Sequence, residues 1–101
     1  MKSPKDCKNI KDVRDAIDSI DGQIVSLLGK RLNYVKEVVK FKENTPESII
    51  AKERRDYVLK SRREMAVNNG LDPNVVEEIY KILISHFIEK ETQIINNKNI
   101  M

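Results

Sequence analysis

A long periodic segment near the N-terminus limits the folds open to this chain. Between about Asn9 and about Lys42, apolar residues recur at spacings of three and four, and no proline interrupts them. This spacing places them on one side of an α-helix, which Asn9 or Asp12 would cap. The apolar stripe consists of Ile10, Val13, Ile17, Ile20, Ile24, Leu27, Val35 and Val38. Gly22 and Gly29 lie inside the segment, but each costs only about 1 kcal/mol relative to alanine.

The length of this helix predicts a second copy of the chain. About 33 residues in a helix span roughly 50 Å, whereas a compact domain of about 100 residues has a radius of gyration near 13 Å. The rest of the chain is too short to cover the whole stripe. A homodimer would cover it; the alternative is a helix that projects into solvent.

Two further helices are predicted downstream. A break at residues 43–46, which end in proline, precedes a helix from about Glu47 to Asn68 that ends at Asn69-Gly70. Asp72-Pro73 then starts a third helix that continues to about Ile95. The expected apolar face of the second helix is Ile50, Tyr57 or Val58, Ser61 and Met65, and that of the third is Val76, Ile79, Tyr80, Leu83, Phe87 and Ile94.

The composition agrees with an all-α domain over residues 1–101. Only 5% of the residues are aromatic, and the chain holds three glycines, which argues against a β-sandwich or barrel. Nineteen Lys and Arg against sixteen Asp and Glu give a net charge of +3, a mixed surface that does not point to nucleic acid. A lone Cys7, no secretory signal and no membrane-length apolar run predict a cytoplasmic protein.

Three cations lie on or beside the apolar stripe of the first helix. Arg31 and Lys42 continue the stripe, and Arg14 lies at its edge. A buried cation is costly unless an anion compensates it. An internal salt bridge or a side chain that extends to solvent would explain one such residue, whereas three favour an anion-binding site.

The spacing of these cations connects the site to the dimer. Arg31 and Lys42 would lie about 16 Å apart along the helix axis, within reach of one ligand for two long side chains. Arg14 would lie about 25 Å from Arg31, too far to share a small ligand within one chain. In an antiparallel dimer, Arg14 of one copy would enter the pocket of the other.

The third helix adds Glu91, which follows Phe87 by four residues and therefore projects towards the apolar face. A salt bridge to Arg31 or Lys42, or a solvated edge position, are the alternatives to a role in the pocket. His86 is the only histidine and projects to the flank. We expect no metal site, because a lone histidine lacks the further ligands that a metal requires.

These charged positions occur within motifs that resemble a known family. The motifs are DVRDAIDSID at residues 12–21, KRLNYVK at 30–36, FK at 41–42, KERR at 52–55, NNGLDP at 68–73 and HFIEKE at 86–91. In order and spacing they resemble the all-helical chorismate mutases, and most closely the branch that contains the isochorismate pyruvate lyases of salicylate synthesis. The resemblance covers nearly the whole chain.

The resemblance implies a three-helix protomer, an intertwined homodimer, and chorismate or isochorismate as the substrate. It implies that Arg14 from the partner subunit and Arg31 bind the substrate carboxylates, and that Lys42 contacts the ether oxygen of the bond that breaks. Glu91 would donate a hydrogen bond to that oxygen, and Glu53 aligns with a carboxylate that in some members holds the substrate hydroxyl. The implied reaction is pericyclic and requires no cofactor, and the loop at residues 43–46 would cover the site.

Some positions depart from the mutase pattern and others from the lyase pattern. Ile49 and Phe87 stand where some mutases carry polar residues, and Lys52 stands where some carry a substrate-binding arginine. Glu91 stands where the lyase has glutamine.

We therefore predict a chorismate mutase of aromatic amino-acid biosynthesis first, and an isochorismate pyruvate lyase of salicylate biosynthesis, or one enzyme with both activities, second. The alternative outside enzymes is a dimeric helical interaction module, in which Arg31 and Lys42 form internal salt bridges. Thermal stabilisation by a bicyclic dicarboxylate analogue of the transition state would distinguish the enzymes from the module. A nucleic-acid binder ranks third.

Overall fold

The computed structural model describes residues 1–41 and 51–100, with side chains up to residue 97. These residues form three α-helices and no strand: α1 (Ile10–Val38), α2 (Lys52–Asn68) and α3 (Pro73–Ile100). Short 3₁₀ turns at Pro4–Asp6 and Val39–Phe41 precede and follow α1. The prediction of three helices, the first of them long, is confirmed.

The helix boundaries differ from the predicted ones in three places. Regular α-helix ends at Val38, and the chain continues as a tighter turn instead of extending the helix to Lys42. Helix α2 begins at Lys52, while the first residues predicted for it lie outside the described residues. Helix α3 continues past Ile95 to Ile100, because neither proline nor glycine follows to stop it.

The contacts divide the chain into two units, residues 1–34 and residues 35–101. In the first unit, α1 carries its apolar stripe on the surface of the single chain. Helix α1 buries no residue, and Ile10, Ile17, Ile24 and Leu27 are 63%, 50%, 49% and 61% exposed. The stripe has the predicted helical spacing, but the described part of one chain does not cover it.

In the second unit, α2 and α3 pack against each other as a helical hairpin, and a sharp turn joins them. The amide of Gly70 donates to Val67 O at 3.2 Å, and the amide of Leu71 donates to Ala66 O at 2.8 Å. Gly70 has φ +71, so this is the left-handed stop that glycine makes at helix ends. Asp72 then caps α3, since its Oδ1 accepts the amide hydrogen of Asn74 at 2.8 Å. The predicted stop and cap are confirmed.

The core of this hairpin is small, and polar contacts join its two helices. Its buried apolar side chains are Val58, Leu59 and Ala66 on α2 with Phe87 and Ile95 on α3. Arg63 donates to Asn74 at 3.0 Å and to Glu77 at 3.1 Å. The guanidinium of Arg62 lies over the ring of Tyr80, 5.5 Å from its centroid.

The inward face of α2 agrees with the predicted one only in part. Of the two alternatives Tyr57 and Val58, Val58 is buried and Tyr57 is 58% exposed. Met65 was predicted to face inward but is 53% exposed, whereas Leu59, which was not predicted, is buried. The arginine-rich α2 has too few apolar residues for their spacing to define one face. On α3, Ile79 is 49% exposed and so also lies outside the core.

None of the helices in the described part of the chain is long and apolar enough to cross a membrane.

We expect Gly70→Ala to lower the free energy of unfolding by about 1 kcal/mol, because a side chain is strained at positive φ. No atom within 4 Å would clash with the added Cβ, so the strain comes from the backbone alone. Urea unfolding at fixed protein concentration measures the change. Gly22→Ala is the matched control: it lies in open space within α1 and should raise the free energy of unfolding by about 1 kcal/mol. Equal effects of the two substitutions would contradict this account.

Candidate functional site

The start of α1 fixes the backbone that carries Arg14. The side chain of Asn9 accepts the amide hydrogen of Asp12 at 2.8 Å, and Asp12 Oδ2 accepts that of Lys8 at 3.0 Å. The Asn9 side chain thus accepts from the amide of Asp12, and the Asp12 side chain accepts from the amide just before Asn9. This reciprocal arrangement resembles a capping box. The sequence offered Asn9 and Asp12 as alternative caps, and the structure uses both.

A third group joins this cap from outside the helix. The ammonium of Lys2 lies 3.0 Å from Asp12 Oδ2, and the Asp12 side chain is only 18% exposed. The amide of Lys8, and then the ammonium of Lys2, hold the pKa of Asp12 below its usual value of 3.8. Because folding lowers the pKa of Asp12, its charge stabilises the folded state fully at pH values above the pKa that it has in the unfolded chain. This stabilisation is lost as pH falls through the lower pKa of the folded state. The charged cap is therefore intact at neutral pH.

Arg14 and Arg31 lie on one uninterrupted helix. They are seventeen positions apart in the sequence, which corresponds to about 25 Å along the axis. Arg14 is exposed, whereas Arg31 is half-buried and its Nη1 atom is withdrawn from solvent. One chain does not bring these two cations to a common small ligand, in agreement with the sequence argument.

Two surface grooves lie on the first unit, and neither is lined by Arg14 or Arg31. One is formed by Met1, Lys2, Asp12, Asp15, Ala16 and Ser19. The other is formed by Ser19, Gly22, Gln23, Ser26, Leu27 and Lys30. These two grooves of a single copy therefore do not enclose Arg14 or Arg31.

Among the described residues of the second unit, Glu91 is the charged residue that is buried. It is 6% exposed, and Phe87 and Ile95, one turn away on either side, are each 7% exposed. Ile95 also packs with Val39 of the 3₁₀ turn that follows α1. The predicted inward position of Glu91 is confirmed, and Phe87 is part of the same apolar surround.

The remaining candidates fall, in the sequence, between residue 42 and the first turn of α2. Glu53 is exposed in the first turn of α2. The residue before α2, Ala51, has φ +46, a left-handed conformation that is strained for alanine. Lys42, Ile49 and the loop at 43–46 lie outside the described residues. Among the described residues, no three His, Cys, Asp or Glu side chains are grouped as a metal site would require.

Sequence reasoning missed the contact between Lys2 and Asp12. The Asn-x-x-Asp spacing at residues 9–12 resembles a capping box, so the local signal was present. The contact with Lys2 spans ten residues, and helical periodicity carries no information about the segment before a helix.

Two comparisons with known proteins found relatives of this chain. A family model described as chorismate mutase type II matches residues 13–92, a span that contains all five candidate residues. The isochorismate pyruvate lyase of Pseudomonas aeruginosa is 41% identical over 91 residues, which cover 90% of this chain and 89% of the relative.

Proposed function

Because the chain belongs to the chorismate mutase type II family, we propose that it is an enzyme acting on a chorismate-type dicarboxylate, and specifically an isochorismate pyruvate lyase. The observation that carries the specific choice is the 41% identity to such a lyase across nine tenths of the chain. The sequence alone placed the mutase activity first. The extent of this similarity reverses that order.

The substrate class follows from the charges of the proposed site. Isochorismate and chorismate each carry two carboxylates, and an arginine binds a carboxylate through two parallel hydrogen bonds. Arg31, half-buried on α1, would hold one carboxylate. Arg14 of a second copy would hold the other, because Arg14 of the same copy is about 25 Å away along the helix.

A homodimer is the assembly that this site needs. The exposed stripe on α1 supports it, since apolar surface in water favours association. Burying the exposed half of one isoleucine or leucine contributes about 1 kcal/mol. The stripe would pack against the second copy and carry Arg14 into the site of that copy. The dimer and the site are thus parts of one proposal.

The lyase reaction breaks one bond to the ether oxygen and moves one hydrogen. The ring carbon–oxygen bond breaks, and a hydrogen of the ring moves to the methylene carbon of the enolpyruvyl group. The products are pyruvate and an aromatic ring, salicylate. No nucleophile takes part, so the protein would act by holding the enolpyruvyl group over the ring and by stabilising developing charge.

Lys42 and Glu91 would stabilise negative charge on the ether oxygen as its bond breaks. A cation and a hydrogen-bond donor are most effective in a site without water. The apolar surround of Glu91, with Phe87 and Ile95 buried beside it, supports such a site. A carboxyl group donates a hydrogen bond only when protonated, so Glu91 would act in its neutral form. Glu53, in the first turn of α2, would bind the substrate hydroxyl.

Chorismate mutase activity is the second candidate, and Glu91 favours it. The family resemblance gives glutamine at this position in the lyase, while mutases hold glutamine or glutamate there. In the mutase reaction the same ether bond breaks, and a carbon–carbon bond forms in place of the hydrogen transfer. The same two carboxylates and the same ether oxygen are involved, so one site would serve both reactions.

We expect purified protein to convert isochorismate to salicylate and pyruvate with a higher kcat/KM than it converts chorismate to prephenate. Arg31→Ala should lower kcat/KM about 100-fold, as expected when one partner of a desolvated ion pair is removed. The matched control is Lys30→Ala, which removes an exposed cation from the neighbouring position and should leave kcat/KM unchanged. Salicylate fluorescence and prephenate formation measure the two reactions. Faster turnover of chorismate would assign the chain to the mutases, and turnover of neither would refute the proposal.

We expect Glu91→Gln to keep kcat within about threefold of the wild-type value, because an amide also donates a hydrogen bond. Glu91→Leu removes the donor and should lower kcat about 100-fold, as the loss of one donor to developing negative charge does. Glu89→Leu, at an exposed position of α3, is the control and should leave kcat as in the wild type. A wild-type kcat in Glu91→Leu would exclude Glu91 as the donor.

A further inference from the structure

Asp12 takes part in three hydrogen bonds at the start of α1. It accepts hydrogen bonds from the Lys8 amide and the Lys2 ammonium, both at 3.0 Å, while its own amide donates to Asn9. One carboxylate thus joins the helix, the residue before its cap and the N-terminal segment. Asp15, an exposed acid about one turn further along α1, pairs with Lys11, and these two side chains are 61% and 81% exposed.

The segment that supplies Lys2 is itself folded. The amide of Asp6 donates to Ser3 O at 3.0 Å and that of Cys7 to Pro4 O at 3.4 Å. The hydroxyl of Ser3 donates to Asp6 Oδ2 at 2.6 Å. These bonds close the 3₁₀ turn at Pro4–Asp6, so Lys2 approaches Asp12 from an ordered turn. The N-terminal clasp, as we call residues 2–9, therefore ends on the carboxylate of Asp12.

Arg14 lies about one helical turn after this clasp, and contacts within the described residues do not fix its side chain. No described residue makes a hydrogen bond or an ion pair with its guanidinium, and the side chain is exposed. Its position is therefore set by the helix backbone alone. The first amides of a helix lack partners within the helix, so an uncapped first turn frays. Fraying up to Val13 would leave Arg14 in the terminal turn.

From this arrangement we propose that Asp12 is a positioning residue for Arg14, and that the N-terminal clasp orders Arg14 for the substrate carboxylate bound in the second copy. The inference rests on the proposed function, in which Arg14 serves the partner's site. Asp12 touches no substrate in this account. Its contribution is that the first turn of α1 is already ordered before substrate binds, so binding does not have to order it.

A double-mutant cycle between Asp12 and Arg14 tests the proposal on the full-length protein. We expect Asp12→Ala to raise KM for isochorismate about fivefold, the effect of losing one helix cap, with kcat changed less than about twofold. In the Arg14→Ala background, Asp12→Ala should cause no further change in kcat/KM, because the group that it positions is gone. Asp15→Ala is the matched control and should leave both constants as in the wild type.

A role in general stability would give a different pattern. In that case Asp12→Ala would lower kcat/KM by the same factor with and without Arg14, and this result would overturn the proposal. No change in KM for Asp12→Ala would overturn it as well. The underlying function fails separately: if Arg14→Ala retains wild-type kcat/KM, Arg14 is not in the site. A loss in Arg14→Ala without any loss in Asp12→Ala would leave the site intact and refute only the positioning role.

A milder variant covers the case in which Asp12→Ala does not fold. Lys2→Met removes the ammonium and keeps the length of the side chain, and the amide contact from Lys8 remains. We expect a rise in KM of about twofold, again absent in the Arg14→Ala background. An equal effect of Lys2→Met in both backgrounds would contradict the proposal.

Discussion

Helix α1 imposes a fixed distance on the chemistry of this protein. It runs from Ile10 to Val38 without interruption, and an α-helix rises 1.5 Å per residue. Arg14 and Arg31 therefore stay about 25 Å apart along the axis in any one chain. A small dicarboxylate cannot bridge that distance. If both arginines bind one substrate, each must come from a different copy.

The same helix supplies the surface on which two copies would associate. Its apolar stripe is about half-exposed along the first unit, and no residue of α1 is buried within the chain. Burial of this stripe between two copies would remove apolar surface from water and bring the start of α1 to the other subunit. The ordered clasp ahead of α1 is consistent with that role, because an ordered helix end delivers a side chain to a defined place.

Several local features were predictable from the sequence because short-range geometry determines them. The Asn9 cap, the Gly70 stop and the Asp72 cap each depend on a few neighbouring residues. The inward position of Glu91 followed from the dense apolar spacing around it on α3. The separation of Arg14 and Arg31 was predictable as well, since it requires only that the helix be continuous.

Other features depend on contacts that periodicity does not encode. On α2, the burial of Val58 in place of Tyr57 depends on how a helix rich in arginine packs against α3. The contact of Lys2 with Asp12 depends on the turn at Pro4–Asp6, a segment without a helical pattern. Site residues do not predict the choice between isochorismate and chorismate, because both molecules present the same carboxylates and the same ether oxygen. Overall similarity to a lyase and the identity of Glu91 point to different members of one family.

The central claim is that each active site takes Arg14 from the other copy, and mixed dimers measure it most directly. Arg14→Ala and Arg31→Ala should each lower activity about 100-fold when expressed alone. Co-expression in equal amounts should restore about one quarter of wild-type activity, because half of the dimers are mixed and each mixed dimer has one intact site of two. If Arg14 served the site of its own chain, no mixed dimer would contain an intact site. Activity that stays at the level of the separate variants would therefore contradict the account.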